Sequence, residues 1–356
     1  MGRWLGCLLV AFVAPGGFAA EVPTHVTVLQ YHHVSVTTPA STSLSPERFA
    51  EHLQWLADND FAVVALPDAL RQFQAGEAMR DRMAVITFDD GYRSIYDAAF
   101  PILREFDYPF TIFVNPEPHD ARRPAWVSWD ELREMADVGA TIANHTQSHA
   151  YLIRREGGES DEEWRARIRA EIETAEQRIA AETGQSHRIL AYPYGESNAV
   201  VRALVQKLGY TAFGQQSGPV GAGSDETNLP RFPLSGSYAA METFRTKMRS
   251  LPLAVTAARP ETRSGDEILM FNETRPALEI ELADAGGAPL NCFASGQGAI
   301  PVERLAANRV RIRAPEPLGS GRSRYNCTQV SEWPGRYYWY SYTWVPAPPG
   351  QPTVDP

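Results

Sequence analysis

From Val26 to about Leu234 the chain alternates short apolar runs with helical patterns, and this alternation limits the fold more than any other feature of the sequence. The runs Val26–Tyr31, Ala84–Phe88, Thr111–Val114, Thr141–Ala143, Ile189–Tyr192 and Thr211–Phe213 are too short for helices and rich in β-branched and aromatic residues. The segments between them carry helix caps. Ser45-Pro46 opens a helix whose apolar face holds Phe49, Leu53 and Leu56. Ser128 with Glu131, and Ser160 with Glu163, fit the capping-box pattern. The stripe Trp164, Ile168, Ile172, Ala175, Ile179 predicts a long helix stopped by Gly184, and Asn198 to Leu208 a further one stopped by Gly209. Strand then helix, repeated, predicts an α/β fold with a parallel sheet covered by helices.

In such a fold, reactive groups gather where strands end and loops begin. His32 and His33 follow the first run, Asp89 and Asp90 the second, and Asn115 the third. His145 and His149 follow the Thr141 run, and Tyr194 the Ile189 run. One rim is therefore expected to collect these polar residues.

Near Leu251 the pattern changes. Alternating runs at Ala277–Leu282, Arg309–Arg313 and Tyr337–Trp344, punctuated by Gly and Pro, predict a small all-β, sandwich-like domain over 251–345. At about ninety residues its core is modest, and a disulfide between Cys292 and Cys327 would help hold it. The aromatics Tyr337 to Trp344 either offer faces for sugar stacking or fill that core. Residues 346–356, rich in Pro, are expected to form a loose tail, as Val345 before them is.

Arg3, the apolar stretch Trp4–Val13 and the small residues ending at Ala20 have the pattern of a cleavable secretory signal over 1–20. The mature chain, from 21, is then periplasmic or secreted, without stable membrane insertion. Net charge is -10, from 43 acidic and 33 basic residues, which argues against a nucleic-acid partner.

The chemistry concentrates in three segments. In Thr87-Phe88-Asp89-Asp90-Gly91-Tyr92, adjacent carboxylates at a strand end can diverge, one toward a cation and one toward a substrate; the same residues also end strands in plain turns. In His145-Thr146-Gln147-Ser148-His149, two imidazoles four residues apart can meet one metal from a single turn of chain, or can be surface and capping histidines. Asp90 with His145 and His149 would make a three-ligand set that leaves positions open on a divalent ion. In Ala191-Tyr192-Pro193-Tyr194-Gly195, Pro stiffens the chain and Gly permits a tight turn.

Together these segments resemble the polysaccharide deacetylase family, the NodB-like carbohydrate esterases, over about Val26 to Leu234. The resemblance implies a distorted (β/α) barrel as the catalytic domain (residues 21–250), acting on an amino-sugar polysaccharide by hydrolysis of acetamide groups. It implies Asp89 as general base, Asp90, His145 and His149 as ligands of a divalent metal, usually zinc, and the Tyr194 backbone amide as an oxyanion donor. The sequence departs from the family pattern at Ala191, where an Arg often braces the base, and in having no His after His187, where a late His usually serves as the acid. Arg231, in Leu229-Pro230-Arg231-Phe232-Pro233, is a candidate for the brace, and His32, His33 or Asp89 itself for the acid. Tyr31-His32-His33-Val34 and Phe213-Gly214-Gln215-Gln216-Ser217-Gly218 are similar to the branch of bacterial poly-β-1,6-N-acetylglucosamine deacetylases, as is Trp126-Val127-Ser128-Trp129, where a Trp could stack on a sugar or pack the helix. Peptidoglycan, chitin fragments or an O-acetylated sugar are alternative substrates, and a non-catalytic carbohydrate-binding protein is the alternative of a different class.

Overall fold

The computed structural model describes residues 24–346, apart from 266, 270–272 and 285–286. The expected signal segment 1–20 and the expected tail, save Pro346, lie outside the described residues.

Parallel strands β1 (His25–Tyr31), β2 (Met83–Asp89), β3 (Thr111–Val114), β4 (Thr141–Asn144), β5 (Ile189–Ala191) and β6 (Thr211–Phe213) lie side by side in chain order. Every residue of β1 and β2 is buried, as a parallel sheet covered on both faces requires. Side chains alternate across each strand. Ala84, Ile86 and Phe88 join the cluster under the helices, whereas Val85 joins an inner cluster with Val26, Val28, Phe113 and Phe213. The same alternation carries Gln30, Thr87 and Asp89 to the inner side, above that apolar layer.

Four of the helices around the sheet begin where the caps predict. Ser45 caps α1 (Pro46–Asp58). Ser128 and Ser160 make full capping boxes on α5 (Trp129–Asp137) and α6 (Asp161–Thr183), α2 (Leu66–Gln74), α3 (Phe100–Glu105) and α4 (Pro116–Asp120) lying between α1 and α5. Gly184 ends α6 at φ 72°, a conformation glycine adopts without strain. Asn198 caps α7 (Ala199–Lys207).

The sheet curves into a half-barrel, consistent with a distorted barrel. Its two edges approach through one segment. The Leu229 N–H donates to Ala212 O at 2.8 Å on the β6 side, while Phe232 pairs with Leu29 and the Leu234 N–H donates to Gln30 O at 2.9 Å on the β1 side. Arg231 is carried between these contacts.

Beyond α8 (Met241–Met248) the described residues form a separate all-β region. One sheet holds β7 (Val255–Glu261), β8 (Ala277–Leu282), β11 (Val302–Ala306) and β12 (Arg309–Arg313). The other holds β9 (Asn291–Ala294), β10 (Gly298–Ile300), β13 (Ser323–Val330) and β14 (Tyr337–Pro346). Leu278, Ile280, Val310 and Ile312 from the first meet Cys292, Tyr325, Cys327 and Trp344 from the second in one core. Cys292 and Cys327 are disulfide-bonded and stand directly opposite on β9 and β13. Of the two roles open to the aromatic run, core filling prevails. Trp344 is fully buried, Tyr338, Tyr340 and Tyr342 pack on it and its neighbours, and Trp339 packs edge-on to Phe232 of the first region. Val345, expected in a loose tail, is instead a buried residue of β14.

Candidate active site

Asp89 is the last residue of β2 and points into the inner layer, wholly buried. A buried carboxylate needs partners, and it has them. Arg231 donates from Nη1 to Oδ1 at 2.6 Å and from Nη2 to Oδ2 at 2.9 Å, and Gln30 Nε2 donates to Oδ2 at 2.6 Å. Arg231 is itself fully buried, donating from Nε to Gly214 O at 3.1 Å and lying over the Phe113 ring. Burial pushes the Asp89 carboxyl up, but the opposing charges around it, Arg231 first among them, outweigh it and hold it below the usual range.

Asp90 faces elsewhere because the chain turns at it, with φ 72°. Gly91 continues that turn at φ 70°, and a Cβ there would lie 2.7 Å from His119 Cε1, so no other residue fits. The adjacent carboxylates thus diverge as an abrupt turn at a strand end demands. Asp90 Oδ1 lies 3.3 Å from His145 Nε2 and 3.2 Å from His149 Nε2. The two histidines do not share a helical turn. Thr146 and His149 have φ 66° and 61°, and the loop is pinned by Asn144 Oδ1 accepting from the Thr146 N–H and by Glu171 of α6 accepting from Ser148. Four of the nine non-glycine residues with positive φ among the described residues are Asp90, Thr146, His149 and Tyr194. Backbone strain is therefore concentrated here, where the surrounding packing must enforce it.

Asp90, His145 and His149 each offer a ligand atom within 4.8 Å of the others. His145 Nδ1 lies 2.7 Å from Ala191 O, a pure acceptor, so Nδ1 carries the hydrogen and Nε2 presents its lone pair. Metal bonds of about 2.0–2.1 Å in tetrahedral geometry place neighbouring ligand atoms roughly 3.3 Å apart, the spacing seen around Asp90 Oδ1. Charge-assisted hydrogen bonds would draw the same atoms to about 2.7–2.9 Å. The trio fits a divalent ion and leaves further positions open. Bonds from His145 and His149 overcome burial and hold Asp90 well below the usual range, while Asp90 and Asp89 raise His145 against its burial.

Of the other expected residues, His32 Nε2 lies 3.8 Å from Asp89 Oδ2 and is partly open. His33 stacks on Tyr92 with ring centroids 3.8 Å apart. Tyr194 takes φ 60°, ψ 0° in the Pro193–Gly195 turn, and its ring meets His149 edge-on at 4.5 Å. Trp129 is buried and donates to Asp120, so it packs its helix, whereas Trp126 lies beside Tyr92.

Residues 76–213 match the family model described as polysaccharide deacetylase. The chain carries a polysaccharide deacetylase domain. It is 26% identical over 235 residues to the poly-β-1,6-N-acetyl-D-glucosamine N-deacetylase of Escherichia coli (strain K12), covering 56% of this chain but 34% of that protein. To the enzyme of the same name from Staphylococcus aureus (strain MRSA252) it is 25% identical over 198 residues, 54% of this chain and 68% of that one. In fold it is similar to the Streptococcus pyogenes deacetylase PplD, solved with acetate, at a TM-score of 0.58 and 21% identity over 64% of this chain and 99% of that one. The deacetylase match ends at Phe213, so Arg231, which this structure ties to Asp89, lies outside it.

Two neighbours of this site were not evident in the sequence. Gln30 is a polar residue inside an apolar strand, an anomaly that could have singled it out. His119 is buried, its Nδ1 2.7 Å from Val127 O, and forms the wall behind Gly91; nothing local to Pro116–Asp120 marks it.

Proposed function

We propose that this chain is an exported, metal-dependent hydrolase that removes N-acetyl groups from an N-acetylglucosamine polymer, with a poly-β-1,6-linked one favoured. The observation that carries the reading is a buried carboxylate, Asp89, held ionised by Arg231 next to a trio of residues spaced for a divalent ion. The names of the Escherichia coli and Staphylococcus aureus relatives support the polymer. The approach of the sheet edges through Leu229–Leu234 supports a distorted (β/α) barrel over 21–250, with a β domain over 251–345.

A bound divalent metal, zinc in this reading, would supply Lewis acidity for the acetamide carbonyl and lower the pKa of a water. Asp90, His145 and His149 would hold it. Asp89 accepts the proton of the attacking water as its oxygen bonds to the carbonyl carbon. A carboxylate kept ionised by Arg231 is always ready to accept, and being a weak base it depends on an acidified water. The Tyr194 N–H donates to the oxyanion. As the C–N bond breaks, the leaving nitrogen takes a proton, and the products are acetate and a free amine. In this reading His32, beside Asp89 and partly open, donates that proton, with His33, stacked on Tyr92, or Asp89 acting a second time as the alternatives.

Acetate release from β-1,6-linked N-acetylglucosamine oligomers, with chitin oligomers and peptidoglycan alongside, tests the proposal. Release should stop with chelator and return with metal. Asp89→Asn should abolish turnover while metal content stays, and His145→Ala should lose both. The absence of any His after His187 favours a second reading, a carbohydrate-binding protein without turnover. Metal bound but no acetate from any polymer would move that reading to first place.

A further inference from the structure

The C-terminal β region reaches the rim of the deacetylase site. Arg322, just before β13, donates from Nη1 to Gln215 Oε1 at 3.0 Å, and its Nε lies 3.7 Å from Glu196 Oε1. Gln215 and Glu196 belong to the loops that follow β6 and β5. Close by, Tyr151 stacks on Tyr194 with centroids 3.8 Å apart and planes 6° from parallel, and Arg154 covers the outer face of Tyr151 at 3.4 Å. Tyr194 in turn touches the proposed metal ligand His149. Arg322 of the second region thus sits on the loop after Tyr194, whose ring touches a proposed metal ligand.

The two regions are docked by other contacts. Arg336 makes two 2.9 Å bonds to Asp81, Arg202 pairs with Glu267, and Trp339 donates to Ser217. Arg322 differs from these. A third of its side chain is exposed (33%), its approach to Glu196 is longer than a hydrogen bond, and most of its five N–H donors have no partner among the described residues. Beneath it, Glu196 is buried and its Oε2 has no hydrogen-bond partner. Spare donors on Arg322, with the buried Glu196 beneath it, and the edges of two tyrosines suit a ligand rich in hydroxyl and amide groups.

We infer that Arg322, held over Glu196 beside the Tyr151–Tyr194 pair, forms a subsite for a sugar two or more units along the polymer from the one being deacetylated. The inference rests on the proposed reaction for its substrate class. Arg322 donates to hydroxyl or acetamide oxygens of that distal unit, so the β region makes the enzyme sensitive to chain length.

The test is calorimetric binding of β-1,6-linked N-acetylglucosamine dimer and pentamer to the full chain in an Asp89→Asn background. Adding Arg322→Met should weaken the pentamer about tenfold and the dimer less than about twofold, as the loss of a charge-assisted hydrogen bond implies. Arg336→Met, which breaks a docking contact away from the rim, should lower the melting temperature and leave pentamer binding unchanged. Equal losses for dimer and pentamer, no loss, no binding of either oligomer, or the same length effect from Arg336→Met would each overturn the subsite. Acetate release by the chain with Asp89 intact separates this from the reaction. Length-dependent binding without acetate keeps the subsite and sinks the reaction. Acetate with length-independent binding does the reverse.

Discussion

Replacing Arg231 by Met would remove the one cation that touches Asp89 inside the sheet. Both side chains are fully buried, and the pair shares two bonds of 2.6 and 2.9 Å. Met fills a similar volume against Phe113, so the loss is electrostatic rather than a cavity. Only the neutral Gln30 amide would remain bonded to the carboxylate. Leaving a buried charge without its partner costs about 3–5 kcal/mol. For a domain of this size that corresponds to a fall in melting temperature of roughly 6–20 °C. In the Asp89→Asn background Arg231 is itself the buried charge without its partner, so the same change should cost nothing or stabilise. The pH dependence has a definite sign. Arg231 holds Asp89 below its unfolded value, so the pair's contribution is present above that value and is lost as pH falls through the depressed one. Without Arg231, burial dominates and pushes Asp89 up, so the variant is penalised most near neutrality. The gap between wild type and Arg231→Met should narrow from pH 7 to pH 4.5. Calorimetric melting of chelator-treated protein at both pH values measures this. A loss below about 1 kcal/mol, or an equal loss in the Asp89→Asn background, would refute the reasoning.

Three further outcomes follow from the same structure. His32→Ala should lower kcat by about 10²–10³ with a smaller change for His33→Ala, measured as acetate release; unchanged rates for His32→Ala would remove it as the acid. His52 is buried between Tyr31 and the Ala239 carbonyl, and burial brings its pKa down to about 4. The unfolded chain therefore binds the extra proton between about pH 6.5 and 4, and stability should fall by on the order of 3 kcal/mol as pH drops through that window. His52→Leu should flatten this slope in acid titrations of the melting temperature. Replacing Cys292 and Cys327 together by Ala should destabilise the β region by about 2–5 kcal/mol, seen as an earlier calorimetric transition.

The strand ends and helix caps were legible because their causes are local. Apolar runs bounded by turn residues gave β3 and β6 their observed bounds, and Ser128 and Ser160 announce helices through bonds to residues three positions on. Asp90 and the histidines were legible as a group because strand ends share a rim. The shape of the His145–His149 loop was not. It is set by Glu171, which lies on a helix more than twenty residues later. Gln30, His119 and Arg322 were missed for the same reason, since their roles depend on which strands and regions meet. For the aromatic run of β14 the sequence left two readings open, and only the pairing with β13 and the facing sheet shows that the rings fill a core.

Arg231 and Asp89 are 142 residues apart in sequence, and the segment that carries Arg231 also bonds the first strand to the last of the parallel sheet. A chain emerging from its N-terminus therefore exposes Asp89, His145 and His149 long before the cation that keeps the carboxylate ionised in its buried setting. A fragment ending before Leu229 would hold every proposed metal ligand and still lack the electrostatics of the finished site. Under the proposed reaction, chains cut short of Leu229 would release no acetate.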